Sequence, residues 1–119
     1  MAYDAYPYEG CGLLAGPAAG NAVTAFTPCR NTAQSARVYT VDPSDHLYAE
    51  RAAEAAGAEI IGVVHSHTHT DPYPSPTDIA QAPDPVWHYI IVGIKRESPE
   101  IRCFRIAGGE VTEERIVVV

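Results

Sequence analysis

The sequence predicts a mixed α/β sandwich, and three observations carry that expectation. Short apolar runs rich in Val, Ile and Leu recur between turn signals, as strands do. A single well-capped, Ala-rich segment lies in the middle of the chain, as one helix. The order reads strands, helix, strand, short helix, strands, which suits one layered domain spanning 1–119.

The elements follow in chain order. Residues 11–16 (CGLLAG) read as a buried strand, 17–21 as a turn, and 22–28 as a returning hairpin strand. Residues 38–41 (VYTV) read as a further short strand. Asp42-Pro43-Ser44-Asp45 is a helix start: Asp42 can cap free N–H groups, Pro43 suits the first turn, and Asp45 complements the dipole. The Ala-rich stretch runs to Ala56 and stops at Gly57. Residues 60–67 form an apolar strand that ends in histidines, and a Thr/Pro-rich loop over 68–76 leads to a short helix starting near Ser75. Strands are expected at 86–94, 101–106 and 111–118, parted by turns at Ser98-Pro99 and Gly108-Gly109.

Composition narrows the function. Of 119 residues, 46% are hydrophobic and 19% charged, the balance of a folded domain. The net charge of −7, with no Lys/Arg cluster, argues against a nucleic-acid partner. No apolar run approaches the roughly 20 residues a membrane helix needs, so no membrane role is expected. The N-terminal MAYDAYPYEG lacks the basic and apolar regions of a secretory signal. Three scattered cysteines, Cys11, Cys29 and Cys103, form no CxxC pair, and reduced thiols in a cytoplasmic setting are the simple expectation. Cys29 and Cys103 read as structural, and Cys11, two residues after Glu9, reads as a small buried core residue with a place facing the site as the alternative. Tyr3, Tyr6 and Tyr8 read as packing or surface residues, and a partner groove has no support.

The chemistry concentrates in the stretch from His65 to Asp78. Residues two apart on a strand face one side, so His65 and His67 can present two imidazoles to one ion. Asp78, just after the loop, can add a carboxylate oxygen. Two nitrogens, one oxygen and an open fourth position are what a catalytic zinc ion requires, although iron or cobalt tolerates the same donors. Such an ion makes a water in its open position acidic near neutral pH. No HExxH motif supplies a base, so the base must come from elsewhere. Glu9, directly before the strand at 11–16, is a candidate, and spacing alone does not choose it over Glu50 or Glu59.

Ser75-Pro76-Thr77-Asp78 taken alone is an ordinary helix start of the same form as 42–45. The histidines upstream shift that reading, and a capping role and a site role can coexist. His69 continues the alternation, but the loop is expected to bend away before it. His46 reads as a solvated helix residue and His88 as a strand residue beside Trp87.

The spacing His65-x-His67-x7-Ser75-x2-Asp78, with Glu9 upstream, resembles the JAMM (MPN-plus) metalloproteases. Tyr6-Pro7-Tyr8-Glu9-Gly10-Cys11-Gly12-Leu13-Leu14 resembles the segment that carries the family's glutamate. Ile61-Gly62-Val63-Val64 resembles the strand leading into its histidines. The likeness runs from about Pro7 to the C-terminus. It implies a cytidine-deaminase-like fold with a curved, mostly antiparallel sheet flanked by helices. It also implies zinc on His65, His67 and Asp78, with Glu9 as proton carrier and Ser75 as hydrogen-bond donor to the oxyanion. The implied reaction is hydrolysis of a peptide or isopeptide bond, typically after the C-terminal Gly-Gly of a ubiquitin-like protein. HSHT…YPSPTD and the ending GGEVTEERIVVV resemble the short bacterial form, which acts on a sulfur-carrier protein and releases cysteine. Two departures stand out. Thr68 follows the second histidine where Pro is common, as that bacterial subgroup shares. Only eight residues precede Glu9, where family members carry a strand and a helix. A homodimer is entertained as the assembly state. The alternatives are a catalytically silent scaffold module and a zinc hydrolase of small peptides.

Overall fold

Two strands are buried on both faces, and the sheet is built outward from them. Cys11–Gly16 (β1) is buried at every position, and Glu59–His67 (β3) from Ile61 onward. Their continuous apolar runs suit central strands, which have no solvent face to dress with polar residues. A computed structural model describes residues 2–18 and 20–118 of the protein, with all their side chains but those of Tyr3 and Asp4. The packing expected of Tyr3 therefore lies outside the described residues.

Among the described residues the remaining strands are Ala25–Cys29 (β2), His88–Gly93 (β4), Glu100–Ala107 (β5) and Glu110–Glu114 (β6). The helices are Ala2–Ala5 (α1), Pro43–Ala55 (α2) and Pro76–Ala80 (α3). The six strands form one open sheet in the order β2-β1-β3-β4-β5-β6. Only the β3–β4 pair is parallel, and α3 lies on the connection between those two strands. The other four pairs are antiparallel. The mixed α/β class and the mostly antiparallel sheet are thus as the sequence predicts.

The core follows from strand alternation. Leu13, Val63, Tyr89, Ile91, Phe104 and Ile106 share one sheet face and pack with Ala49 of α2 and, at the margin, Ile79 of α3. Phe104 and Ile91 are fully buried, each worth about 1.5–3 kcal/mol of transfer free energy. Asp42 caps α2 by accepting from Asp45 N–H, with Pro43 in the first turn, as its sequence dictates.

The differences from expectation are one absent strand, one additional helix and several element ends. Residues 38–41 form no strand: Val41 makes an isolated bridge with Asn31, and Thr32 N–H donates to the Thr40 carbonyl. The backbone groups of this stretch are met by Asn31 and Ser35 side chains in place of a ladder partner. The first two residues of the expected 86–94 strand belong to a turn, where Asp84 accepts from Val86 N–H and Trp87 N–H. β2 starts at Ala25, three residues into the expected 22–28 strand, and β6 ends at Glu114, four residues before the expected end. α1 is a helix that no sequence signal announced. The Gly108-Gly109 turn holds: both residues have positive φ, at 58° and 81°, which glycine adopts without strain.

Candidate metal centre

Sequence spacing and sheet register bring the site together at one end of β3. His65 and His67 point to the same face, and both are buried. α3 starts at Pro76, across the loop, with Ser75 as its N-cap. Ser75 Oγ accepts from Asp78 N–H at 3.1 Å, and Ser75 N–H donates to Asp78 Oδ2 at 2.8 Å, a reciprocal cap. The cap therefore also aims the Asp78 carboxylate, and Oδ2 lies 3.2 Å from His65 Nε2 and 3.1 Å from His67 Nε2. The two Nε2 atoms lie 3.1 Å apart.

Three donor atoms thus form a nearly equilateral triangle. Donors about 2.0–2.1 Å from a tetrahedral zinc ion stand roughly 3.3 Å apart, so the triangle fits such an ion. Proton bookkeeping admits the same ion. His67 Nδ1 lies 2.9 Å from the Asp71 carbonyl, which can only accept, so Nδ1 carries the proton. A neutral ring would turn the Nε2 lone pair toward the Asp78 carboxylate, so either a proton on Nε2 or a metal cation between the two satisfies both. His65 is held by the Tyr39 ring, stacked 4.3 Å away at 19°. Among the described residues its buried Nδ1 has no hydrogen-bond partner.

The loop between the histidines and α3 is held down at its start. Gly93, at the end of β4, leaves room for Pro72: a Cβ added there would come 2.9 Å from Pro72 Cδ. Asp71 pairs with Lys95 at 3.1 Å and Arg96 at 2.8 Å, exposed contacts that contribute little energy but fit the same seat. His69 is exposed and edges toward Tyr6, so the loop does bend away from the donors before it.

Glu9 reaches the same place from the other side of the sheet's centre. Cys11 pairs with His65 across β1 and β3, and Glu9 lies two residues earlier on the same alternation. One carboxylate oxygen of Glu9 lies within 4.8 Å of the donor nitrogens of both histidines. Its backbone is fixed on three sides. Glu9 N–H donates to Ser35 O at 2.7 Å, and Asn31 Nδ2 donates to Glu9 O at 2.9 Å. Gly10 N–H donates to the buried Ser66 Oγ at 2.7 Å. Glu50 and Glu59, the other candidates, line a separate cavity with Glu54 and Asp84.

The electrostatics separate the two carboxylates. Burial raises Glu9 to about 7, partly offset by His67 and reinforced by Asp78, and its Oε1 is left without a partner. Burial also works against an ionised Asp78, but the hydrogen bonds from His65 and His67 and from Ser75 N–H outweigh it and hold the carboxyl well below the usual range. Burial lowers His65. For His67, bonds to Asp78 and the Asp71 carbonyl overcome burial and raise it. One carboxyl able to hold a proton near neutrality beside one held ionised is the arrangement of an acid/base group next to a ligand.

Two cavities adjoin these residues. One of about 240 Å³ is lined by Leu13, Tyr39, Val41, His46, Asp78 and Trp87, among others. Another, of about 540 Å³, carries Glu9 in its wall together with Tyr8 and Asn31. His46, expected to be solvated, is half-buried against Trp87 and lies 2.9 Å from Glu50. Cys11 is core: burial pushes its thiol up to about 12, and it donates to the Cys29 carbonyl.

Sequence reasoning missed Asn31 and Tyr39. Asn31 makes all the hydrogen bonds an amide side chain offers: it donates to Glu9 O and Val38 O and accepts from Ala33 N–H and Thr40 N–H. It therefore ties Glu9 to the segment that lays Tyr39 on His65. Nothing local distinguishes it, since an Asn before Thr reads as an ordinary turn.

The family model described as prokaryotic homologs of the JAB domain matches residues 1–107. A protein named CysO-cysteine peptidase from Mycobacterium tuberculosis is 38% identical over 115 residues, covering 96% of this chain and 79% of that one. A Desampylase from Haloferax volcanii is 42% identical over 86 residues, covering 71% of this chain and 62% of that protein. Among solved structures, a solution structure of a Desulfitobacterium hafniense protein superimposes with a TM-score of 0.86 at 32% identity, over 98% of this chain and 82% of that one. Matched along most of its length by that family model and by the mycobacterial peptidase, the chain belongs to the prokaryotic homologs of the JAB domain.

Proposed function

We propose that this chain is a zinc-dependent peptidase that hydrolyses a peptide or isopeptide bond at the C-terminal Gly-Gly of a ubiquitin-like sulfur-carrier protein and releases cysteine. The observation that carries the reading is the triangle of His65 Nε2, His67 Nε2 and Asp78 Oδ2, with edges of 3.1–3.2 Å, beside the unpartnered Glu9 carboxyl. The family and the name of the mycobacterial relative support hydrolysis and cysteine as the leaving group.

His65, His67 and Asp78 would hold the zinc. When bound, zinc acidifies the attacking water and polarises the scissile carbonyl. Glu9 takes the proton from that water and delivers it to the leaving amine, a task suited to a carboxyl raised to about 7. Ser75 Oγ accepts its hydrogen bond from Asp78 N–H, so its own O–H proton is free to donate to the oxyanion. The hollows bounded by Asp78 and by Glu9 give an extended polypeptide end places to lie.

Ser75→Ala is expected to lower kcat by roughly 10²–10³-fold, with the metal retained. Loss of the cap should cost about 1 kcal/mol of stability as well. Turnover, zinc content and thermal melts of the same preparation check this, and an unchanged kcat removes Ser75 from the mechanism.

The reading itself is tested with a ubiquitin-like carrier extended by one cysteine after Gly-Gly. The zinc-loaded chain should shorten it by that one residue, seen by intact mass, while a chelator stops the reaction. An untouched carrier in the presence of a zinc-loaded chain overturns the substrate. A chain that takes up no zinc overturns the enzyme reading.

A further inference from the structure

The opposite face of the sheet carries a second convergence of metal-binding side chains. His88 of β4, Cys103 of β5 and Glu114 of β6 each offer one donor atom, and the three lie within 4.8 Å of one another. Strand register makes this geometry. Cys103 sits directly across from Glu114, and Ile90, two residues along from His88, sits across from Cys103. His88 and Cys103 are buried, and Glu114 is half-buried.

The hydrogen-bond pattern repeats that of His67. His88 Nε2 lies 3.2 Å from the Gly20 carbonyl, which can only accept, so Nε2 carries a proton. A neutral His88 therefore points the Nδ1 lone pair at Glu114 Oε1, 2.6 Å away. Something positive has to bridge the two. A proton would do so, with the Cys103 thiol donating to that same Oε1 at 3.6 Å, whereas a metal ion would join all three donor atoms at once. Arg105 Nε holds the other oxygen, Oε2, at 3.2 Å, which leaves Oε1 facing the histidine and the thiol. A histidine anchored on a backbone carbonyl and a carboxylate anchored on a guanidinium are how metal ligands are oriented from behind.

We propose that His88 Nδ1, Cys103 Sγ and Glu114 Oε1 form a second divalent-metal site, suited to zinc, that ties β4, β5 and β6 to the segment at Gly20. Nitrogen, thiolate sulfur and carboxylate oxygen are all ordinary zinc donors. Burial, with Glu114 adding to it, pushes the Cys103 thiol up to about 12, so metal uptake must displace a proton that the dry site otherwise retains. The proposal stands apart from the hydrolytic reading, because it shares no residue with the triangle on the other face.

Cobalt(II) titration of the full chain tests it, since the first site contains no sulfur donor and only the second can give a thiolate-to-cobalt charge-transfer band. The wild type should show that band and bind roughly two cobalt ions per chain. Asp78→Ala should keep the band and lose one ion. Cys103→Ser should lose the band and keep the other ion. Glu114→Gln, a change on the edge strand that leaves the thiol in place, should weaken cobalt binding at this site at least tenfold. A wild type that binds cobalt without the band, or a band that survives Cys103→Ser, overturns the proposal and leaves a hydrogen-bonded His88–Glu114 pair.

Discussion

Glu9→Gln is expected to abolish measurable hydrolysis while zinc stays bound. A general base alone accounts for about 10²–10⁴ in rate, and the loss here should reach at least the upper end because the same group returns the proton to the leaving amine. Gln keeps the shape and burial of Glu9, and the backbone bonds from Asn31 and to Ser35 do not depend on the side chain. The variant therefore removes proton transfer and little else. Turnover and zinc per chain, measured together, decide the matter; wild-type turnover would exclude Glu9 as the base.

A second readout comes from pH. In chelator-treated protein, burial raises Glu9 from its ordinary 4.5 to about 7, so the folded chain binds more protons than the unfolded one between those values. Folding stability then falls as pH rises through that window, by up to on the order of 3 kcal/mol. Gln has no charge to desolvate. Glu9→Gln should therefore melt increasingly above the wild type as pH rises from about 4.5 to about 7, and a constant gap would contradict the burial penalty.

Asp78→Ala should cost the metal itself. Its Oδ2 is the one atom that faces both histidines and takes the Ser75 N–H, so truncation removes a ligand and half of the reciprocal cap together. Loss of a group behind a ligand costs roughly 10–100-fold in metal affinity, and loss of the ligand should cost more. Asp78→Asn separates the effects, because its amide oxygen can still take the Ser75 N–H while the charge is gone. After zinc reconstitution and desalting, elemental analysis should find one zinc fewer per chain in either variant than in the wild type. Zinc retained at this site by Asp78→Ala would show that the triangle is not what binds it.

The legible part of the site is local. His65 and His67 share a face because strand side chains alternate, and Asp78 meets them because Ser75 and Pro76 start a helix at a set distance along the chain. These are short-range consequences of backbone geometry and capping, so spacing alone placed them. Strand ends were less legible, since residues 38–41 have strand-like composition but no neighbouring strand to complete a ladder. Their hydrogen bonds go to Asn31 and Ser35, which no periodicity encodes.

By itself, the amino-acid sequence determined the mixed α/β order, the helix Pro43–Ala55 with its Asp42 cap, and the proposed ligands His65, His67 and Asp78. The cap depends on residues a few positions apart, and the proposed ligands on strand alternation and a helix start that places Asp78 13 residues after the first histidine. Spacing did not choose among the glutamates; the family resemblance pointed to Glu9, and the tertiary structure shows how it comes beside the histidines, through the pairing of Cys11 with His65 across two strands. Only the tertiary structure decided that Tyr39 stacks on His65, that Asn31 binds Glu9's backbone, and that His88 meets Cys103 and Glu114 on the far face. Those contacts join separate elements of the chain, and strand register, set by the packing of the whole core, brings them together.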